Sequence, residues 1–425
     1  MKMSTLPPQS WMAAPETRSV VAALTAKGAE VRFVGGCVRD AILGRAVKDI
    51  DIATHDPPEK VMALLAAAGI EAIPTGIAHG TVTAVVGRRH FEITTLREDV
   101  ETYGRRAKVA FTDDWTADAA RRDLTINAMF LAPDGTLHDP FGGLADLEAG
   151  RVRFVGDARM RIKEDVLRLL RFFRFYAHYG RPPPDADALA ACRELAPLLP
   201  TLSGERVAGE TLKLLAAPDP ASTVELMIGH GVLAHALPDA DGVARLRALV
   251  TVEAIGPGAD ALRRLAALID PAKGAGGASA AAERLRLSNA ERERLVALVA
   301  PEIAVAADMP VKAVRRALYR VGAARFHDLA LLAWAAEIAA AGPSPRPADD
   351  PGVRGDWRAL IAAAEAWTPK AFPVKGRDAL DLGVPAGPKV GALLAALEAW
   401  WIEEDFRPDR AACLRKLEEL ARGSV

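Results

Sequence analysis

The chain has 425 residues, of which 50% are apolar and 26% charged, with a formal net charge of −1. That length exceeds one ordinary hydrophobic core and implies about two to four domains of globular type. The longest apolar runs, such as "VMALLAAAG", are short and interrupted, which argues against a membrane-spanning helix, and the balanced charge excludes a uniformly basic nucleic-acid binder.

In chain order, "MKMSTLPPQSWMAAPETRS" lacks the continuous apolar stretch of a secretion signal. Residues 19–28 read as a short helix and "EVRFVGG" as a strand stopped by two glycines. "CVRDAILG" is predicted as a helix of about two turns closed by Gly44, and "VKDIDIAT" as the next strand. "PPEKVMALLAAAG" has proline at its start and glycine at its end, as a helix should. "HGTVTAVVG" and "HFEITTL" alternate as two strands around a Gly-Arg-Arg turn. "TADAARRDLTINAMFL" begins as a helix, and "GTLHDPFGG" breaks away in turns.

From about residue 157 the pattern is helical: "RIKEDVLRLLRFFRFYAHYG", "GERVAGETLKLLAA" and "DALRRLAALI" all carry a 3.6-residue apolar period. "DPAKGAGGASAAAE" (270–283) reads as a flexible joint, and the Pro-rich "AGPSPRPADDPG" (341–352) as the boundary of a C-terminal helical module. Cys37, Cys192 and Cys413 lie too far apart for a disulfide framework or a metal cluster, so reduced thiols in a cytoplasmic protein are expected. Between 151 and 181 the chain carries nine Arg and Lys residues against Asp157, Glu164 and Asp165. Such a surplus is usually a solvated helix face; beside an acidic motif it reads as a surface for phosphates.

That acidic motif is Asp49-x-Asp51 inside an apolar strand. Residues two apart on a strand face the same way, so the two carboxylates project together while Ile50 and Ile52 enter the core. Alone, a D-x-D reads as exposed acids on an edge strand. Here Gly35 and Gly36 end the preceding strand, where backbone N–H groups can approach a phosphate, and Arg39 and Arg45 add charge. Glu92, between Phe91 and Ile93, is nominated as a third acid facing the same cleft. Three carboxylates holding two Mg²⁺ ions would activate a hydroxyl and stabilise a leaving pyrophosphate, the chemistry of nucleotidyl transfer.

The stretch "GGCVRDAILGRAVKDIDIAT" resembles the signature of the class II tRNA nucleotidyltransferase family, which includes CCA-adding enzymes and bacterial poly(A) polymerases. "RRDLTINAM" (121–129), "DPFGGLADLEAGRVRFVGD" (139–157), "EDVLRLLRFFRF" (164–175) and "GERVAGETLKLL" (204–215) resemble four further motifs in family order. The resemblance implies an α+β, polymerase-β-like nucleotidyltransferase head (19–150), then an all-α neck (151–215), body (216–340) and tail (353–425). It also implies that Asp49 and Asp51 bind the metals with Glu92 as third acid. Gly35, Gly36, Arg39 and Arg122 would meet the incoming triphosphate. Asp165, Arg168, Arg171 and Arg174 would fall on a nucleotide-selecting helix.

The last assignment has a chemical argument of its own. Cytosine and adenine each offer an amino donor beside a ring-nitrogen acceptor, whereas guanine and uracil offer a carbonyl beside an N–H. A carboxylate and an arginine one turn apart, Asp165 and Arg168, would accept the first pair and reject the second. The polar segment 97–115 corresponds to a mobile loop in the family. The implied activity is Mg²⁺-dependent transfer from CTP and ATP to the tRNA 3′ end, with no membrane or protein partner implied.

The alternatives are a bacterial poly(A) polymerase, a C-only or A-only enzyme, and a catalytically silent RNA-binding protein. "VVGRRHFEITTL" has a likeness to a poly(A) polymerase pattern, but its Gly-Arg-Arg lies in a hairpin turn, and the chain lacks the long basic C-terminal extension of those enzymes. "PVKGRDALDLGVPAGPKVGALLAALEAWW" (373–401) resembles the tail segment that meets tRNA. His230, His235 and His327 do not form the spacing of an HD phosphohydrolase site, so that activity is not expected.

Overall fold

The computed structural model describes residues 5–103, 106–254, 258–342 and 351–422. The chain forms two compact units, one running to Ala240 and including Ala281–Leu287, the other Asp241–Ala280 with Ser288–Val425.

The first unit opens with helices α1 (Ser10–Ala13) and α2 (Pro15–Thr25). Helix α2 starts earlier than its apolar pattern predicts, because Pro15 at its first position presets the backbone and lacks only an N–H that would go unused. Then follow β1 (Val31–Val34), α3 (Gly36–Ile42), β2 (Ile50–Thr54), α4 (Pro58–Ala67), β3 (Glu71–Gly76), β4 (Thr81–Val86) and β5 (Arg89–Thr95). A ribbon of β6 (Arg97–Tyr103) and β7 (Arg106–Phe111) leads to α5 (Trp115–Ala120), β8 (Phe130–Leu131), β9 (Leu137–His138) and α6 (Gly143–Ala149).

The seven-stranded sheet has the order β3-β4-β5-β2-β1-β8-β9. Its centre is mixed: β2 pairs antiparallel with β1 and parallel with β5. All four residues of β1 are buried, as in a strand covered on both faces. Phe33, Ile52, Phe91 and Ile93 fill one layer; Val34, Ala53, Leu96 and Phe130 join a cluster with Ala119 and Val155. This buried centre anchors the ends of β1, β2 and β5, where the candidate residues sit.

Two local expectations need correction. Segment 97–115 is not a plain loop: β6 and β7 pair from Arg97↔Phe111 to Tyr103↔Arg106. Val100, Thr102, Tyr103, Val109 and Phe111 supply β-forming residues that the surrounding charges mask in sequence. Within "GTLHDPFGG", Leu137–His138 forms a short strand against β8, after which Asp139 accepts the N–H groups of Gly143 and Leu144 at 2.7 and 2.9 Å. Glycine is required at 143, since a Cβ there would lie 2.3 Å from the Thr125 carbonyl oxygen.

The helical part of this unit contains α7 (Ala158–Glu164), α8 (Leu167–Tyr179), α9 (Ala186–Leu195) and α10 (Gly204–Leu215). One helix is expected across 161–180; two occur, broken at Asp165, whose backbone is extended at φ −149° and ψ 107°. Its side-chain Oδ1 accepts the Leu167 N–H at 3.2 Å and its carbonyl accepts the Arg168 N–H at 3.0 Å, so Asp165 ends one helix and starts the next. On α8, Leu169, Leu170, Phe172 and Phe173 are buried, leaving the arginine face for the site.

The second unit is helical among its described residues. One core joins Leu249, Leu318, Phe326 and Trp334 with Trp357, Leu360 and Ile361; another joins Val374, Leu397, Trp401 and Leu417. The Gly/Ala-rich segment read as a joint contains the helix Gly274–Arg284, where alanine's helix preference outweighs the glycines. Of the Pro-rich stretch 341–352, residues 343–350 lie outside the described ones. No described helix is long and apolar enough to cross a membrane.

Candidate active site

Gly35 turns the chain from β1 into α3 at φ 73°, a conformation that favours glycine. A Cβ there would lie 3.9 Å from Asp51 Oδ2 and 3.7 Å from the Arg122 Nη1, so the backbone passes close to both charged groups. Asp51 stands inside β2 between buried Ile50 and Ile52, and its register partner on parallel β5 is Glu92. Asp49 is exposed and lies just before the strand, ahead of the first ladder residue. Among the described residues no group of three His, Cys, Asp or Glu side chains makes a metal cluster by itself, but Glu92 and Asp49 both lie near enough to act on the Asp51 carboxyl.

Burial, and then the nearby Glu92 and Asp49 charges, push the Asp51 carboxyl up to about 6, while Arg122 pulls it back. A carboxylate so destabilised favours a cation. A hard divalent ion needs only one or two protein carboxylates if phosphate oxygens and water complete its shell. These residues fit such an ion.

Asp51 lines a cavity of about 770 Å³ together with Gly35, Gly36, Arg39 and Arg122. The same cavity is lined by Asp165, Arg168, Arg171 and Arg174, so the two sequence-distant groups of nominated residues meet. Each arginine is held from behind. Arg122 donates to Asp118 Oδ2 at 2.9 Å, and against burial, which raises it, Arg122 and Arg121 hold the Asp118 carboxyl below its ordinary range. Arg39 donates to Asn127 Oδ1 at 2.7 Å, Asn127 donates to Asp123 Oδ1 at 3.2 Å, and Arg171 donates to Asp123 Oδ2 at 2.6 Å. That chain of contacts ties α3 to α8. Arg174 pairs with Glu210 at 2.8 Å and lies 4.2 Å over the Phe175 ring. Arg168 donates to Glu164 and to the carbonyls of Arg161 and Arg121.

Comparison with known proteins decides the family. A family model described as the poly A polymerase head domain matches residues 31–153, and one described as a probable RNA and SrmB-binding site of polymerase A matches residues 184–242. A zebrafish protein named CCA tRNA nucleotidyltransferase 1, mitochondrial, is 46% identical over 216 residues, half of each chain. The mouse protein of that name is 35% identical over 390 residues, 90% of this chain and 85% of its own length.

The chain belongs to the CCA tRNA nucleotidyltransferase family.

A crystal structure of the Bacillus stearothermophilus CCA-adding enzyme in complex with CTP superposes with a TM-score of 0.75 and 28% identity, over 96% of this chain and 98% of that one. Members of this family are nucleotidyltransferases of generally divalent-metal-dependent type, on a mixed-sheet head with a helical remainder, as the sequence implies.

Sequence reading missed several cavity residues in this family member. Asp123 and Asn127 stand inside the quoted "RRDLTINAM" motif but were assigned no role; Arg206 and Lys213 stand in "GERVAGETLKLL". Their signal was available: Arg206, Glu210 and Lys213 recur at helical spacing on α10, which marks one polar face. Tyr179 also lines the cavity, with Arg39 4.2 Å and Arg45 4.6 Å from its ring centre.

Proposed function

We propose that this protein builds or repairs the CCA terminus of tRNA, transferring CMP and AMP units from CTP and ATP to the 3′ end with release of pyrophosphate. The observation that carries the reading is that the Asp51 strand end and the Asp165–Arg168 turn open on one cavity. The CTP and tRNA named for relatives supply its substrate class.

The nucleotide's base meets Asp165 and Arg168, its phosphates meet Arg39, Arg122 and the Gly35–Gly36 backbone, and Arg171 and Arg174 contribute charge along the way. Asp49 and Asp51 hold Mg²⁺, with Glu92 as the third acid. Bound Mg²⁺ supplies neutralisation of phosphate charge and a more acidic attacking hydroxyl. The chain's own contribution is orientation: the Asp123–Asn127 bridge sets Arg39 and Arg171 relative to each other. Head, neck, body and tail divide the work as the sequence implies, with RNA held by backbone and shape. Free, buried Cys37, Cys192 and Cys413 suit a reducing compartment such as the cytoplasm.

The test uses purified protein with Mg²⁺ and three tRNA transcripts ending before CCA, after C and after CC. Each is incubated with CTP, ATP or both, and products are resolved at single-nucleotide length. Growth that stops after CCA is expected. Long A tracts on varied RNAs would make it a poly(A) polymerase, C-only or A-only addition would make it half of a split pathway, and binding without incorporation would make it a silent RNA-binding protein.

A further inference from the structure

In the second unit, the helix Ala323–Ala340 opens into a cavity of about 820 Å³. Gly322 is its N-cap at φ 80°, a conformation that favours glycine, and no side chain caps the helix. Phe326 donates the first N–H that returns to the chain, to the Gly322 carbonyl at 3.0 Å. The N–H groups of Ala323, Ala324 and Arg325 come before that bond and stand outside the intrahelical ladder. All three residues line the cavity. Aligned N–H dipoles favour an anion, but any helix of this length has them.

His327 is the second, independent feature. It lines the same cavity with 8% of its surface exposed, and its buried Nε2 has no hydrogen-bond partner among the described residues. A buried polar atom left unpaired costs free energy that a ligand recovers. The exposed Arg325 side chain makes no ion pair among the described residues. Asp328 does not oppose an anion here: Arg263 donates to its Oδ1 and Arg294 to its Oδ2, each at 2.7 Å, which neutralises the carboxylate. Glu293 and Glu365, both exposed, line the cavity too. Their negative charge selects against a ligand that is anionic throughout.

We propose that this cavity is a binding site for a small phosphomonoester that also carries hydroxyl or amino groups. Its phosphate sits at the N–H groups of Ala323, Ala324 and Arg325, with the Arg325 and His327 side chains as further donors. A phosphomonoester presents three terminal oxygens, which this donor set matches better than the two oxygens of a carboxylate. Glu293 and Glu365 accept from the ligand's hydroxyl or amino groups. The same two carboxylates repel pyrophosphate and a continuous RNA backbone, whose charge extends beyond one group. At about 820 Å³ the cavity has the size usual for small-molecule sites. All of its residues belong to the second unit, so the inference does not rest on the reading of the nucleotidyl-transfer site.

The experiment titrates full-length wild type, Arg325→Ala and Ala324→Asp with ribose 5-phosphate as the probe. Binding is followed by NMR through the His327 imidazole signal in histidine-labelled protein, assigned by its loss in His327→Gln. That signal reports this cavity and not the phosphate-binding arginines of the first unit. Saturable movement is expected in wild type, with inorganic phosphate weaker and pyrophosphate or acetate without effect. Arg325→Ala should weaken binding by about ten- to a hundredfold, the scale of a hydrogen bond to a charged group. Ala324→Asp puts a carboxylate at the helix N-terminus, where it favours the helix and occupies the anion position. It should therefore melt no lower than wild type and abolish binding. A signal that millimolar ribose 5-phosphate leaves unmoved overturns the site, as does equal affinity in Arg325→Ala. If the signal moves only with tRNA, and Ala324→Asp lowers nucleotide incorporation, the face holds an RNA phosphate and the small-ligand assignment falls.

Discussion

Two groups of arginines in this protein use charge in opposite ways. In the second unit, Arg263 and Arg264 are almost fully buried and are matched by acceptors: Glu253 takes both, and Asp328 takes Arg263 and Arg294 at 2.7 Å each. In the first unit, Arg39, Arg122, Arg171 and Arg174 are each tied to at least one neighbour yet line an open cavity. Burial with full pairing makes a charge structural, because removing one partner strands another in a low-dielectric interior. Orientation with an open side instead leaves donors available to a ligand.

Substitutions that separate activity from stability test this contrast. The largest effect expected is for Asp51→Asn, which should lower nucleotide incorporation by at least about a thousandfold, the scale of losing a core catalytic group. Its metal-free melting temperature should equal or exceed that of wild type near neutral pH, since the change removes a carboxylate that burial and neighbouring acids destabilise. A matching loss of stability would make Asp51 structural. Glu253→Gln should behave in reverse. It takes away the carboxylate that Arg263 and Arg264 share, Arg263 keeping Asp328, and should cost about 3–5 kcal/mol in denaturant unfolding. Incorporation per folded molecule should stay unchanged; a stable but inactive variant would break the contrast.

The smallest effect is one of pH. Asp51 ionises near 3.8 when unfolded and at about 6 in the folded, metal-free protein. Between those values the folded state binds the extra proton, so this group's contribution to stability falls as pH rises and the deficit is complete above about 6. A divalent ion must displace that proton at lower pH. Its affinity should therefore be flat above about 6 and fall by about tenfold per unit below it, as read by metal titration. Affinity that stays flat down to pH 5 would separate the metal from Asp51.

What was legible in the sequence follows chain distance. Asp51 between Ile50 and Ile52, and the arginines of α8, were readable because strand and helix periods fix which residues share a face. The neighbours that hold those groups were not. Arg206 lies 41 residues from Asp165, Asn127 lies 88 residues from Arg39, and Asp123 lies 48 from Arg171. Only tertiary packing brings such pairs together, and no local pattern announces them. The break at Asp165 was hidden for a different reason: apolar periodicity continues on both sides of it, so the pattern conceals an aspartate that competes with the helix for backbone N–H groups. The ribbon 97–111 was hidden by its charge.

The parallel pairing of β2 with β5 has a consequence for finding relatives of this site. Asp51 and Glu92 are neighbours through a ladder, while residues 55–88 form an excursion between the two strands. Nothing in the ladder fixes how long that excursion is, so a search pattern with a set number of residues between the two acids would pass over homologues with a longer detour. Parity inside each strand is another matter. One residue inserted between Arg89 and Glu92 would turn the carboxylate to the opposite face of the sheet, whereas several added at the tip of the detour would leave it where it is.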